Sequence, residues 1–365
     1  MQRLLEAALF DKPRALASWN AYLAATDLQK ADHAETTLFP FVYRNLREQS
    51  HPICKSTYRH TWAFNQHIWA KTRPVLCELL AAGVEKIALL KGMAMILDYY
   101  RDFGVRIVGD IDILIDPLHL PLTYAVLTKS GWRCAMPRFD PHSHHRRARW
   151  NAAGFVHPSG LNLDVHWSLL LETAPANHHQ FLDKLSPGIQ AADPTDLFFQ
   201  TCIHGYKKSA APLIRWVPDA LTLLRQSAVD FSRLFQLAHA FHLTLPLSRA
   251  LGYLSSHFDA AIPPFCPKPC QAEVREFNAN ARGRIYLAGY YRARLYNHSL
   301  AHYLQQTANL PSAWLIPLYG PFWLLKRLYR LIARVRRKVV AYFFDFLLLN
   351  KYKPKAWIKN LFFFR

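Results

Sequence analysis

Glycine, cysteine and acidic side chains are all scarce in this chain, and each scarcity excludes something. There are 13 glycines in 365 residues, and none builds a Walker-type phosphate loop; GxSxG and HExxH are missing as well, so P-loop, α/β-hydrolase and zincin readings have no motif to rest on. Six cysteines are too few for a disulfide framework. Only Cys266 and Cys270 stand close together, in a proline-rich stretch with no second Cys/His pair at zinc spacing. No apolar run reaches the ~20 residues of a membrane-spanning helix: residues 314–325 are interrupted by Pro317 and Pro321, and 339–349 is short and carries Asp345. The start, MQRLLEAALFDKPRAL, has no basic stretch ahead of an apolar core, so no signal peptide is expected and the expected location is cytoplasmic. Asp and Glu number 25 against 45 Lys and Arg, a net charge of +20. Such a balance points to an anionic partner: a nucleotide, nucleic acid or an acidic membrane face. Prolines spread through the chain exclude collagen and coiled coil, and 51% apolar with 14% aromatic residues excludes a disordered chain.

The pattern along the chain predicts an α+β protein, a small mixed sheet flanked by helices, with helical regions before and after it. Residues 1–82 read as helical: Leu4, Leu5, Ala8 and Leu9 share one face, as do Leu38, Phe39, Phe41, Val42 and Leu46. A longer helix is expected from Ser56 to Ala82, with a break at Pro74 and a cap at Gly83. Residues 83–190 alternate strand and helix. An apolar run over 87–90 ends in Lys91-Gly92, a helix-like stretch follows to Tyr100, and a second strand is expected over 110–115. Leu161 to Trp167 then alternates apolar and polar, which is a strand with one buried face. Residues 191–310 read as helical with breaks at Pro218, Pro246 and 263–269. Residues 311–365 stand apart, with twelve Lys or Arg, one Asp and interleaved aromatics. That composition suits helices lying on an anionic membrane surface or packing on a partner, and the first would place the protein peripherally on the inner membrane face.

The chemistry concentrates in Gly109-Asp110-Ile111-Asp112. On a strand Asp110 and Asp112 share a face, and two carboxylates one step apart repel unless a cation lies between them; Mg²⁺ or Mn²⁺ takes such oxygens readily. A strand whose solvent face happens to be acidic is the competing explanation. Asp164, on the polar face of the later strand, offers a third carboxylate. Lys91 and Gly92, between strand and helix, offer a charge and a close backbone approach to a phosphate. Arg106 can clamp phosphate or be a solvated loop arginine. His166, beside Asp164, can orient a carboxylate, contact a phosphate, or simply be a hydrogen-bonded strand histidine. His142, His144 and His145 lie among arginines that disfavour zinc, so that segment reads as a phosphate-contacting or solvated loop.

Taken together, LLKGMAM, Arg106 followed by GDIDILI, and Leu163-Asp164-Val165-His166-Trp167 resemble the uncharacterised bacterial nucleotidyltransferase family of the polymerase-beta-like superfamily. LFPFVYRNL at 38–46 and Arg215-Trp216-Val217-Pro218-Asp219 are similar to its flanking helices, and the likeness spans roughly residues 1–260. The resemblance implies a nucleotidyltransferase-type sheet and Asp110, Asp112 and Asp164 as catalytic, metal-binding carboxylates for Mg²⁺ (or Mn²⁺). With that reaction type, Lys91, Gly92, Arg106 and His166 are, by their own chemistry, the candidates to surround the phosphates of an NTP such as ATP; the acceptor hydroxyl is unidentified. Lys91-Gly92 stands where the superfamily usually has Gly-Ser. The alternative is a non-catalytic nucleotide- or partner-binding protein at the membrane surface. No recognition module for sequence-specific nucleic acid is evident.

Overall fold

The computed structural model describes residues 1–136, 139–143, 150–170, 173, 181–207 and 214–264. The basic segment 311–365, the Cys266–Cys270 stretch, His144 and His145 lie outside these residues. His142 is exposed in a turn.

Five helices open the chain: α1 (Gln2–Leu9), α2 (Lys12–Leu23), α3 (His33–Thr36), α4 (Phe39–Leu46) and α5 (Pro52–Ala81). Their apolar faces are the ones expected, with Leu4, Leu5 and Ala8 of α1 and Phe39, Phe41, Val42 and Leu46 of α4 buried. Pro74 does not break α5, which runs through it without interruption. Pro74 is exposed, so water can satisfy the carbonyl that its missing N–H leaves free, while buried Thr72, Val75, Leu76 and Leu79 hold the opposite face. The helix ends at Gly83, whose φ of +109° suits the left-handed turn after a helix; its N–H and that of Val84 bond back to Leu80 and Leu79 at 3.0 Å.

A sheet of six strands follows, β1 (Lys86–Leu89), β2 (Ile111–Leu114), β3 (Arg133–Cys134), β4 (Ala152–Val156), β5 (Asn162–His166) and β6 (Gly188–Ala191), in the order β3-β4-β5-β2-β1-β6. β2 runs parallel to β5, and β6 parallel to β1; the other pairs are antiparallel. The sheet is mixed and open, and the fold is α+β as expected. Ile111 pairs with Leu163, Ile113 with Val165, Phe155 with Leu163 and Ala153 with Val165, so these buried side chains form one apolar face. α7 (Leu120–Lys129) packs there, the Tyr124 ring lying 5.9 Å from Phe155. Asp112, Asp164, Gly154 and His166 share the other face.

Between β1 and β2 the chain makes the short α6 (Lys91–Ala94), a π-helical turn Met95–Tyr100, and an irregular loop. Four helices close the described part: α8 (Pro194–Lys207), α9 (Trp216–Gln226), α10 (Phe231–Ala240) and α11 (Thr244–Phe258). The expected breaks at Pro218 and Pro246 are instead third residues of α9 and α11, where a backbone N–H has no partner within the helix and proline costs little. The two ends of the described chain meet: Phe10 lies 5.8 Å from Phe258, and the Tyr253 hydroxyl donates to Gln2 Oε1 at 3.0 Å. No helix among the described residues is long and apolar enough to cross a membrane.

Candidate functional site

Register builds the site. In the parallel pair of β2 and β5, Asp112 is the partner of Asp164, so their carboxylates stand abreast on one face. On the far side of Asp164 the pairing residue is Gly154. A Cβ there would stand 3.1 Å from Asp164 Oδ1, so the missing side chain leaves this carboxylate its room. On the other side, the Leu90 N–H donates to the Asp112 carbonyl at 2.9 Å, which brings the next residue, Lys91, to the Asp112 side chain.

Asp112 is 3% exposed, so an acidic solvent face does not describe it. Its Oδ1 receives both the Lys91 ammonium and His166 Nε2, the latter at 2.9 Å. His166 Nδ1 accepts from the Asn151 side-chain amide at 3.2 Å. That bond fixes the tautomer with the proton on Nε2, directed at Asp112. Burial alone would raise the Asp112 carboxyl, but Lys91 and His166 outweigh it and hold the pKa far below the usual carboxylate range. Lys91 holds this position with φ +45°, a backbone region that non-glycine residues seldom adopt.

Ligand atoms of Asp112, Asp164 and His166 all lie within 4.8 Å of one another. Asp110 stands outside this group. It precedes β2 and reaches solvent, where it lines an open cleft of about 420 Å³ together with Gly109, Gly154 and Asp164. Crowding by the surrounding protein, then the charge of Asp112, raise its pKa above the ordinary value.

Arg106 is not a solvated loop residue. Its Nε donates to both oxygens of buried Asp219 on α9, at 3.0 and 2.8 Å, and the Tyr100 hydroxyl donates to the same carboxylate at 2.8 Å. The guanidinium lies against Gly92: a Cβ on that residue would stand 2.3 Å from Arg106 Nη1 and 2.8 Å from Val108 Cγ2. Gly92 therefore serves close packing of the arginine. The loop that carries Arg106 toward Asp110 is held by Asn65 of α5, fully buried. Its amide donates to the carbonyls of Phe103 and Arg106 at 2.6 and 2.7 Å, and its oxygen accepts the Val108 N–H at 3.1 Å.

The structure thus brings Lys91, Asp112, Asp164 and His166 together, sets Asp110 at the rim, and joins Arg106 to Gly92. Sequence reasoning missed Asn65, Asn151, Gly154 and the role of Asp219. The only sequence signal near any of them was the Arg215–Asp219 segment, noted for its likeness to a family helix.

Residues 33–259 match the model of a family described as uncharacterised nucleotidyltransferase. The match covers more than half of the chain, and the chain belongs to that family, as the resemblance implied. Among solved structures it is similar to an antigenic nucleotidyltransferase-like protein from Paracoccidioides brasiliensis, at 15% identity over 57% of this chain and 94% of that one, with a TM-score of 0.31. No curated protein matches the chain.

Proposed function

We propose that this chain transfers a nucleoside monophosphate from a nucleoside triphosphate, ATP in the first instance, to a hydroxyl acceptor. The observation that carries the proposal is the pairing of Asp112 with Asp164 across β2 and β5, beside an open cleft, in a chain of the nucleotidyltransferase family.

The donor set suits a divalent ion: ligand atoms of Asp112, Asp164 and His166 lie within 4.8 Å of one another, and an ion with ~2.1 Å bonds would draw the carboxylate oxygens somewhat closer. Asp112 and Asp164 would hold Mg²⁺ or Mn²⁺, with Asp110 as a further carboxylate at the rim. When bound, the ion supplies polarisation of the phosphoryl oxygens and neutralises charge on departing pyrophosphate. His166 does not need to be a ligand: its Nε2–H holds Asp112 Oδ1 and so orients the carboxylate. Asp164, half-buried at the cleft, would accept the proton of the acceptor hydroxyl. The acceptor oxygen bonds to the α-phosphorus, the bond from that phosphorus to the β-phosphate oxygen breaks, and pyrophosphate leaves with the electron pair. Lys91 and Arg106 supply positive charge beside the phosphates. The segment 311–365 would hold the protein to an anionic membrane surface.

One observation favours the second reading, a nucleotide- or partner-binding protein without turnover: Lys91 and His166 already satisfy Oδ1 of Asp112. Incubation with α-labelled NTPs, Mn²⁺ and cell extract as acceptor source separates the two. The enzyme transfers label and releases pyrophosphate, and Asp164→Asn does neither. Equal labelling by both proteins, or none with any of four NTPs, contradicts the enzyme.

A further inference from the structure

We propose that Arg215, together with Arg106, forms a cationic seat for the terminal phosphates of the nucleotide. That the anion is a nucleoside triphosphate rests on the function proposed above; the cationic seat itself rests on the following geometry.

Two guanidinium groups converge on one carbonyl. Arg215 Nη1 donates to the Ile107 oxygen at 3.0 Å, and Arg106 Nη1 approaches the same oxygen at 3.4 Å. Only Arg106 has a carboxylate within ion-pair distance; Arg215 feels Asp219 and Asp110 at longer range. Asp219 takes both its short bonds from Arg106 and a third from Tyr100. Among the described residues no carboxylate forms an ion pair with Arg215. Partial burial and the neighbouring Arg106 lower its pKa, an unusual fate for a guanidinium.

Its place on α9 adds to the cost. Arg215 is the N-cap of this 11-residue helix, where the helix dipole presents its positive end and a cation is disfavoured. The position is nevertheless firmly built. Trp216 packs so closely on Gly205 of α8 that a Cβ there would meet its ring at 2.2 Å, and it lies 5.9 Å from the Tyr253 ring. A half-buried cation, facing a second cation, at the positive end of a helix is unfavourable on three counts, and one bound anion reverses all three.

The location selects the anion. Ile107 lies three residues before Asp110, whose charge is felt at Arg215. Arg106 rests on Gly92, next to Lys91 and thus to Asp112. The seat adjoins the carboxylate row, as the β- and γ-phosphates adjoin the α-phosphate in one triphosphate. Planar guanidinium forks suit phosphate oxygens.

Calorimetric titration of the full chain with inorganic tripolyphosphate, ATP and AMP tests this in wild type, Arg215→Met and Arg215→Lys. Loss of charge-assisted bonds should weaken tripolyphosphate and ATP roughly ten- to a hundredfold in Arg215→Met. Arg215→Lys should retain part of the affinity, and AMP should bind all three alike. Without ligand, Arg215→Met should melt no lower than wild type, because burial and Arg106 outweigh the longer-range attraction of Asp219 and Asp110 for the charge removed. Equal tripolyphosphate affinity in wild type and Arg215→Met overturns the seat, as does a melting temperature lowered in Arg215→Met and restored in Arg215→Lys, which makes the arginine structural. Arg215-dependent tripolyphosphate binding without label transfer from any NTP leaves the seat standing and overturns nucleotidyl transfer. Label transfer with an unchanged KM for ATP in Arg215→Met does the reverse. A wild type that binds neither tripolyphosphate nor ATP contradicts both.

Discussion

At Asp112, burial and charge pull in opposite directions, and charge wins. The carboxylate is buried but carries Lys91 and His166 on one oxygen, so removing it strands a cation. Asp112→Ala should therefore cost about 3 kcal/mol in urea unfolding at neutral pH. Its lowered pKa means that this stability is present above the unfolded carboxylate range near ~4 and is lost as pH falls below it. Asp110 is the mirror case. Its pKa is raised, so its charge opposes folding as pH rises above the unfolded value, and Asp110→Ala should leave stability at pH 7 unchanged or higher. Equal losses for the two alanine variants would contradict this division. Lys91, Asp112, Asp164 and His166 were legible because each stands in a short pattern that fixes its element and its face. Asp219 was not, since its partner Arg106 lies 113 residues away and nothing local announces the bond. Gly92 was legible as a close approach, but the group that approaches it is Arg106. Gly92→Ala should cost about 1–3 kcal/mol through overpacking, and unfolding at the wild-type midpoint would show that the arginine is free to move.

Elements were legible where hydrophobic periodicity is strong and illegible where it is absent, whatever the strand length: β2 and β6 both have four residues. β2 and β5 alternate cleanly, but β4 is AAGFV and β6 is GIQA, sequences whose small or half-buried residues give no period. Pro74 misled because a proline reads as a break unless its helix face is known to meet water. The loop between the π-helical turn and β2 shows a different limit: its shape is set by Asn65, some forty residues upstream on α5. Asn65→Ala would leave the Phe103 and Arg106 carbonyls and the Val108 N–H without their partner. A loss of about 3 kcal/mol is expected, and a change under about 0.5 kcal/mol would mean that the loop holds itself. α8 carries a pH effect of its own. Asp196 in its first turn is 1% exposed, and burial lifts its pKa to about 6, although Arg233 Nη1 lies 2.7 Å away and pulls the other way. The folded state then holds an extra proton above the unfolded carboxylate pKa, so stability falls as pH rises from about 4 to 6, by on the order of 1–3 kcal/mol. Asp196→Asn should reduce that slope, as measured by denaturant midpoints at pH 4.5 and 7; an unchanged slope places the titration elsewhere.

For the whole molecule, the mixed α+β architecture and the family were legible because the motifs fall in chain order on strand, turn and strand. What joins the N-terminal helices to α11, Phe10 against Phe258 and Tyr253 against Gln2, is a tertiary choice with no sequence signal. The basic segment 311–365 makes a prediction of its own: the full chain should sediment with anionic vesicles and release as salt shortens the Debye length below its physiological ~8 Å. Salt-independent sedimentation would point to apolar insertion instead. The central claim, that Asp112 and Asp164 jointly hold a divalent ion for a nucleotide, is tested most directly by Mn²⁺ titration in the presence of ATP, followed by electron paramagnetic resonance, on wild type and Asp164→Asn. Asp164 is half-buried and carries none of the bonds that hold Asp112, so its variant should fold. The account predicts nucleotide-dependent Mn²⁺ binding in wild type that weakens at least tenfold in Asp164→Asn, with an unchanged melting temperature in the absence of ligand. Equal Mn²⁺ affinity in the two proteins, or none in either, would contradict it.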